Sequence, residues 1–338
     1  MPATYKDIQK LTGFSFSTIS RYFNGEKVKP ATQKSIKQAA EHLNFRMNDF
    51  ARGLRSRKAM SVGLLIPNLN SIFCTTIMYQ IGRLLRQHGY GCFVCDCNSD
   101  KQVEIEAMNF FIRKSVDGII TIPTDTNPVQ LQSARNRNIP VVLIDRTVSS
   151  IEMDAVLIDN LHAGKLASEY LLSKGHKKIS IVSGPSRFQI MTDRKKGFLG
   201  QIPESGHDFS TRIIETSFTI NGGYEAVKEL LGSSCDITAL FCTNYELTLG
   251  AVIAMNELSL RFPDDISLIG FDNLQLAGVI RPSITLVEQP MEEIANKAVE
   301  LLLMRIDDKL SYKYETVKLK AKLIEGASVA DLHQVKHY

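Results

Sequence analysis

Residues 62–68, VGLLIPN, and residues 178–184, KISIVSG, are apolar strands built to one plan, each running into turn-forming residues. The match repeats downstream. VDGIITIP (116–123) is echoed by ITALFCTN (237–244), and IPVVLIDR (139–146) by ISLIGFDN (266–273). Amphipathic stretches separate these strands, and Cys92–Asp96 adds one more strand to the first series. Strands alternating with helices specify an α/β fold with parallel sheets. Because the series occurs twice, two similar open-sheet lobes with a cleft between them are expected.

Ligands of open parallel sheets bind beyond the carboxyl ends of the strands. Those ends carry Asn70, Phe73, Thr124, Asp145, Arg146, Ser183, Gly184, Thr243, Asn244, Asp272 and Asn273. Carboxylates, amides, a guanidinium and an aromatic ring together suit a hydroxyl-rich small molecule.

The first 45 residues have another texture, that of three short helices. Thr4-x-x-Asp7 is a capping box for the first, with Ile8 and Leu11 as its apolar face and Gly13 as its end. Ser15 caps a second helix that closes at Gly25, and Pro30 opens a third carrying Ile36, Ala39, Ala40 and Leu43 on one face. This is a helix-turn-helix arrangement. Residues 1–58 hold 12 Lys/Arg against 4 Asp/Glu, whereas the remainder is mildly acidic. A small basic segment on a near-neutral body points to a nucleic-acid module. Residues 46–60 form a separate basic stretch around Phe50 and Leu54, expected to be a linker in the free protein.

Other classes lack support. No apolar run reaches the roughly 18 residues needed to cross a bilayer, and Met1–Ile8 has no apolar signal core, so a cytoplasmic location is expected. Nucleophile-elbow, phosphate-loop, zinc-protease and dinucleotide motifs are absent, so no catalytic residues and no cofactor are expected. Cys92, Cys95 and Cys97 lie on a strand without a second metal-ligand pair, so they read as small buried hydrophobes rather than a metal site. His88, His162 and His176, in or near helices, are expected to face solvent.

The motifs combine into one resemblance. Tyr5-Lys-Asp-Ile, Gly13 to Gly25, and Ala51-Arg-Gly-Leu54-Arg55 lead into the apolar strands quoted above, Gly175-His-Lys-Lys-Ile179 and Ile269-Gly-Phe-Asp-Asn273. In that order, to about Ala330, they resemble the lactose/galactose repressor family. The resemblance implies a helix-turn-helix DNA-binding domain (1–46), a hinge (47–60) and a periplasmic-binding-protein-like effector domain (61–330), followed by a tail (331–338). Its two Rossmann-like lobes would span about 61–160 with 288–320, and about 161–287 with 321–330. It further implies a homodimeric transcriptional regulator on palindromic double-stranded operator DNA, controlled by a sugar or sugar derivative. Phe16, Ser17 and Arg21 would face base edges, and Leu54 with Arg55 would serve the hinge at the minor groove. Asn70, Phe73, Asp145, Arg146, Arg194, Phe218, Asn244 and Asp272 would line the effector cleft. Arg194 and Phe218 enter through the resemblance; the rest are strand-end residues. Tyr245 and Cys74 depart from the family pattern at the cleft, so the effector's identity does not carry over; Phe73 and Phe218 can stack a base as well as a sugar ring, which leaves a purine-type effector open. A solute-binding protein or an enzyme on the same fold are the rival classes.

Overall fold

The computed structural model describes residues 3–23, 26–45, 58–124, 129–148, 151–202, 209–232, 236–272, 274–308 and 313–333. Two compact units emerge, Met1–Met60 and Ser61–Tyr338.

In the first unit, α1 (Tyr5–Thr12), α2 (Phe16–Phe23) and α3 (Pro30–His42) enclose Ile8, Ile19, Ile36 and Ala39. The Thr4 amide and hydroxyl both donate to Asp7 Oδ2, at 2.9 and 2.7 Å, closing the capping box. Gly13, at φ 71°, ends α1 in the left-handed region that favours glycine. Ser15 Oγ then accepts from the Thr18 amide at 3.3 Å and starts α2. Leu11 departs from expectation: it is 53% exposed. The inner face of α1 runs instead through Tyr5, Ile8 and Thr12, whose hydroxyl donates to the Ile8 carbonyl at 2.7 Å. Tyr5 stacks on Phe23 at 5.3 Å and meets the edge of Phe16 at 5.4 Å, so aromatic rings do the packing assigned to leucine. The expected helix end at Gly25 and the hinge up to residue 57 lie outside the described residues.

The second unit contains two six-stranded sheets. One has the order β11-β5-β4-β3-β1-β2, from Thr316–Leu319, Asp154–Ile158, Val141–Ile144, Gly118–Thr121, Ser61–Ile66 and Gly91–Asp96. The other has the order β12-β10-β9-β8-β6-β7, from Lys322–Ile324, Thr285–Glu288, Ser267–Phe271, Ala239–Cys242, Lys178–Ser183 and Ser210–Glu215. All neighbouring pairs are parallel except β10 with β12. The two sheets thus share one doubly wound order, whose direction reverses between β1 and β3 and again between β6 and β8. The chain passes between lobes after β5, after β10 and between β11 and β12.

Several expectations need correction. β2 is an edge strand, so Cys92 is exposed and Cys95 only half-buried, while Cys97 is buried. Cys235 lies outside the described residues. His176 does not face solvent. It is buried, with Nδ1 at 2.9 Å from Thr238 Oγ1 and Nε2 at 3.2 Å from the Ala330 carbonyl, and it fastens the C-terminal segment to the second lobe.

One close approach positions the site. α7 (Asn160–Ser173) and α8 (Gln189–Leu199) touch backbone to backbone. A Cβ on Gly164 would stand 1.9 Å from the Arg194 carbonyl, and one on Gly197 the same distance from the Leu161 carbonyl. Gly164→Ala should force the helices apart and destabilise the fold by about 1–3 kcal/mol or more. For a domain of this size that is a fall in melting temperature of roughly 2–5 °C. An unchanged melting curve would contradict the packing account.

Candidate functional site

Where the strand order reverses in each sheet, the loops leave a crevice, and the two crevices face each other across one cavity of about 330 Å³. All eight residues singled out for the effector cleft line it: Asn70, Phe73, Asp145, Arg146, Arg194, Phe218, Asn244 and Asp272. They come from both lobes.

Asp145 and Asp272 hold equivalent places. Each follows a strand of its sheet, β4 or β9, and each takes a left-handed backbone, at φ 69° and 59°. Their amides donate to the next strand, at Val156 and Val287. Residues other than glycine are uncommon in that region, and such conformations concentrate where a side chain must be aimed. Arg146 Nε donates to Asp145 Oδ2 at 3.1 Å and its Nη1 to the Pro123 carbonyl at 3.2 Å. Its guanidinium lies 4.5 Å from the Phe188 ring centre, and Phe188 in turn meets Phe218 at 5.2 Å. Gly184 makes room for Phe218, whose ring would stand 2.1 Å from a Cβ at that position.

Arg194 is the deepest charge lining the cavity, at 3% exposure. Its Nε donates to Asn160 Oδ1 at 2.8 Å, its Nη1 to the Thr243 carbonyl, and its guanidinium lies 3.8 Å from the centre of the Phe271 ring. Burial pulls its pKa down, and the charges of Asp272 and Asp145 oppose that pull. Asp272 accepts from the Gln289 amide at 3.1 Å and from Gln289 Nε2 at 2.7 Å. Burial raises its carboxyl to about 6 despite the nearby Arg194.

Other strand-end residues serve the walls. Ser183 and Thr243 are fully buried, and Thr124 is bonded to Glu104 through its amide at 3.1 Å and through its hydroxyl. Asn273 lies outside the described residues. Glu246, Gln289 and Phe188 line the cavity and escaped the sequence reading. Glu246 sits in the first turn of α10 (Tyr245–Glu257), two residues past Asn244; Gln289 follows β10, a strand only four residues long. The pocket-facing positions just after Asn244 and after the short TLVE run were the available signals.

In the first unit, Phe16, Ser17 and Arg21 are exposed together on α2, opposite the buried Ile19 and Ser20. Ser17 Oγ lies 2.9 Å from Ser15 Oγ, and Arg21 Nε donates to Glu26 at 3.0 Å. Leu54 and Arg55 lie outside the described residues. Among the described residues no group of His, Cys, Asp and Glu could hold a metal, and no helix is long and apolar enough to cross a membrane.

Residues 59–325 match the family described as periplasmic binding proteins and sugar binding domain of LacI family. The chain is 33% identical over 305 residues to catabolite control protein A of Priestia megaterium, covering 89% of this chain and 92% of that protein. The chain belongs to the LacI family. Within the family it is also 31% identical to the HTH-type transcriptional repressor PurR of Aliivibrio salmonicida, over 91% of this chain and 93% of that one. A ribose-bound LacI family regulator from Enterococcus faecium superimposes with a TM-score of 0.71 at 28% identity, over 80% of this chain and 99% of that one. A lac repressor dimer bound to operator shares the fold across 98% of this chain and all of that one, with a TM-score of 0.84 at 22% identity.

Asp272 offers a pH test. A carboxyl in the unfolded chain titrates near ~3.9, against about 6 in the fold. Between roughly pH 4 and 6 the folded state therefore holds a proton that the unfolded state has released, and stability falls as pH rises through that window. Asp272→Asn cannot titrate there. Wild type should lose melting temperature relative to this variant between pH 4.5 and 7. A constant offset would contradict the burial account.

Proposed function

We propose that this LacI-family chain is a transcriptional repressor that binds palindromic operator DNA as a homodimer and is released or recruited by a sugar bound in its cleft. The observation that carries the reading is a single chain joining a helix-turn-helix with an exposed recognition face to a cavity lined from two lobes. A relative along nearly the whole chain is a transcriptional repressor, and one similar structure holds ribose. Acting on chromosomal DNA, it works in the cytoplasm and catalyses no reaction.

The recognition face suits the task. A guanidinium donates two hydrogen bonds to guanine, and an aromatic or methyl surface meets the thymine methyl group. In the free protein Arg21 is held by Glu26 and by the Lys27 carbonyl at 3.3 Å, an exposed pairing that DNA replaces at little cost. Leu54 and Arg55 enter the minor groove between half-sites, where an apolar wedge unstacks a base step and bends the duplex. One helix-turn-helix reads too few bases for a specific site, and two-fold symmetry doubles the contact.

In the cavity, hydroxyl-bearing ligands find acceptors and donors from both lobes. Only a closed cleft satisfies both sets, so ligand binding favours closure. A thermal-shift screen of sugars, sugar phosphates and purines tests the reading, because a ligand bound to the folded state alone raises the melting temperature with concentration. Stabilisation by sugars is expected. Stabilisation by purines alone would move the effector to the other class.

The DNA side is tested on an operator recovered by selection from random sequences. Arg21→Ala should relax preference at one symmetric base position, at about 1–3 kcal/mol per lost bidentate contact. Competition against operator variants reads this directly; an equal loss on every sequence would assign Arg21 to the phosphate backbone.

A further inference from the structure

Five charged side chains line the effector cavity, and four of them answer one another. Asp145 is ion-paired with Arg146 at 3.1 Å. Arg194 and Asp272 act on each other as opposite charges in the wall. Glu246 is the fifth. Its Oε2 accepts from Asn244 Nδ2 at 2.6 Å, while its Oε1 is enclosed by the wall. The groups that ease its charge are neutral donors: its own amide, the Ser71 hydroxyl, the Ile72 amide and the Asn244 side chain. No lysine or arginine is among them, and the charge it shares the wall with, Asp272, has the same sign. Burial accordingly holds the Glu246 carboxyl above the usual range.

The surrounding polar atoms point the same way. Asn244 Oδ1 and Gln289 Oε1 are both enclosed and accept from no described residue. Each guanidinium is held by two of its nitrogens, Arg146 Nε and Nη1 by Asp145 and the Pro123 carbonyl, Arg194 Nε and Nη1 by Asn160 and the Thr243 carbonyl. The cavity lining carries three carboxylates against two guanidinium groups. A carboxylate removed from water without a counter-ion is costly, and a cation delivered to it relieves that cost. A phosphate placed there would meet three carboxylates.

We propose that Glu246 is the specificity residue of the cleft, receiving an ammonium or N–H donor of the ligand, so that the effector is an amino-bearing sugar and phosphorylated sugars are shut out. The inference rests on the sugar-effector reading and narrows it. Ser71 and Ile72 begin α4 (Ile72–Gln87) in the first lobe, whereas Glu246 belongs to the second. A group held by Glu246 is thus held at the seam between lobes, where its binding also favours closure.

The test is calorimetric titration of the full-length protein with glucosamine, galactosamine and mannosamine. Each is run beside its parent hexose and that hexose's 6-phosphate, with ribose and ribose 5-phosphate as a further pair. At least one amino sugar should bind at least tenfold more tightly than its parent, and no phosphate should bind measurably. Glu246→Gln keeps the volume and removes the charge; it should shrink the amino-sugar advantage to under threefold. The wild-type ranking decides the matter even if that variant is unstable. A neutral sugar, ribose included, that binds as tightly as any amino sugar overturns the inference and leaves the sugar reading standing. So does a sugar phosphate that outranks both. Silence from every sugar on folded protein overturns the sugar reading and this inference together.

Discussion

The guanidinium of Arg194 is the constraint on which the effector domain is arranged. A buried arginine must have its N–H groups bonded and its charge answered, because either one left unmet costs several kcal/mol. Here Asn160 opens α7, Thr243 follows β8 and Phe271 ends β9, and all three meet on one side chain. For Arg194 to reach Asn160, α8 must lie directly on α7, which is why glycine stands at 164 and 197. Asp272 then faces it from the end of β9, held in turn by Gln289 at the exit of β10. The wall of the cleft in the second lobe is built outward from this one group.

The opposing wall repeats the scheme in weaker form. Asp145 is the counterpart of Asp272, and its partner Arg146 is half-buried and leans on Phe188 from the other lobe. One lobe thus presents a charged pair that is buried throughout and the other a pair whose arginine stays partly exposed. A ligand spanning them converts its hydrogen bonds into a preference for one lobe arrangement. Coupling energies of this kind are typically about 1–3 kcal/mol, or roughly 5- to 150-fold in affinity, enough to switch a regulator without any change of fold.

Much of this was legible in the residues. The paired series VGLLIPN and KISIVSG gave away the duplicated α/β plan because strands buried on both faces are continuous apolar runs. The strand-end rule then found Asp145, Arg146, Asn244 and Asp272 without a structure, and the cavity gathers them with Arg194 and Phe218. What stayed hidden has physical causes. β7 (STRIIE) is an edge strand with mostly exposed residues, and β11 and β12 are too short to show a period. Leu11 looked like core because spacing cannot tell which of two apolar neighbours an eight-residue helix turns inward, and aromatic rings had filled the place. His176 looked like a surface residue because the partner that buries it, Ala330, is 154 positions away. Glu246 looked like an ordinary acid in the first turn of a helix, where carboxylates are favoured anyway. Only the fold shows that the groups donating to it are neutral.

The central claim is that one ligand in the cleft and one operator on the helix-turn-helix share a single free energy. The direct measurement is a thermodynamic cycle: operator affinity with and without saturating effector, and effector affinity with and without saturating operator. Linkage requires the two ratios to agree. The account predicts equal factors of at least about fivefold in both directions. Operator affinity that stays the same at saturating effector would contradict it.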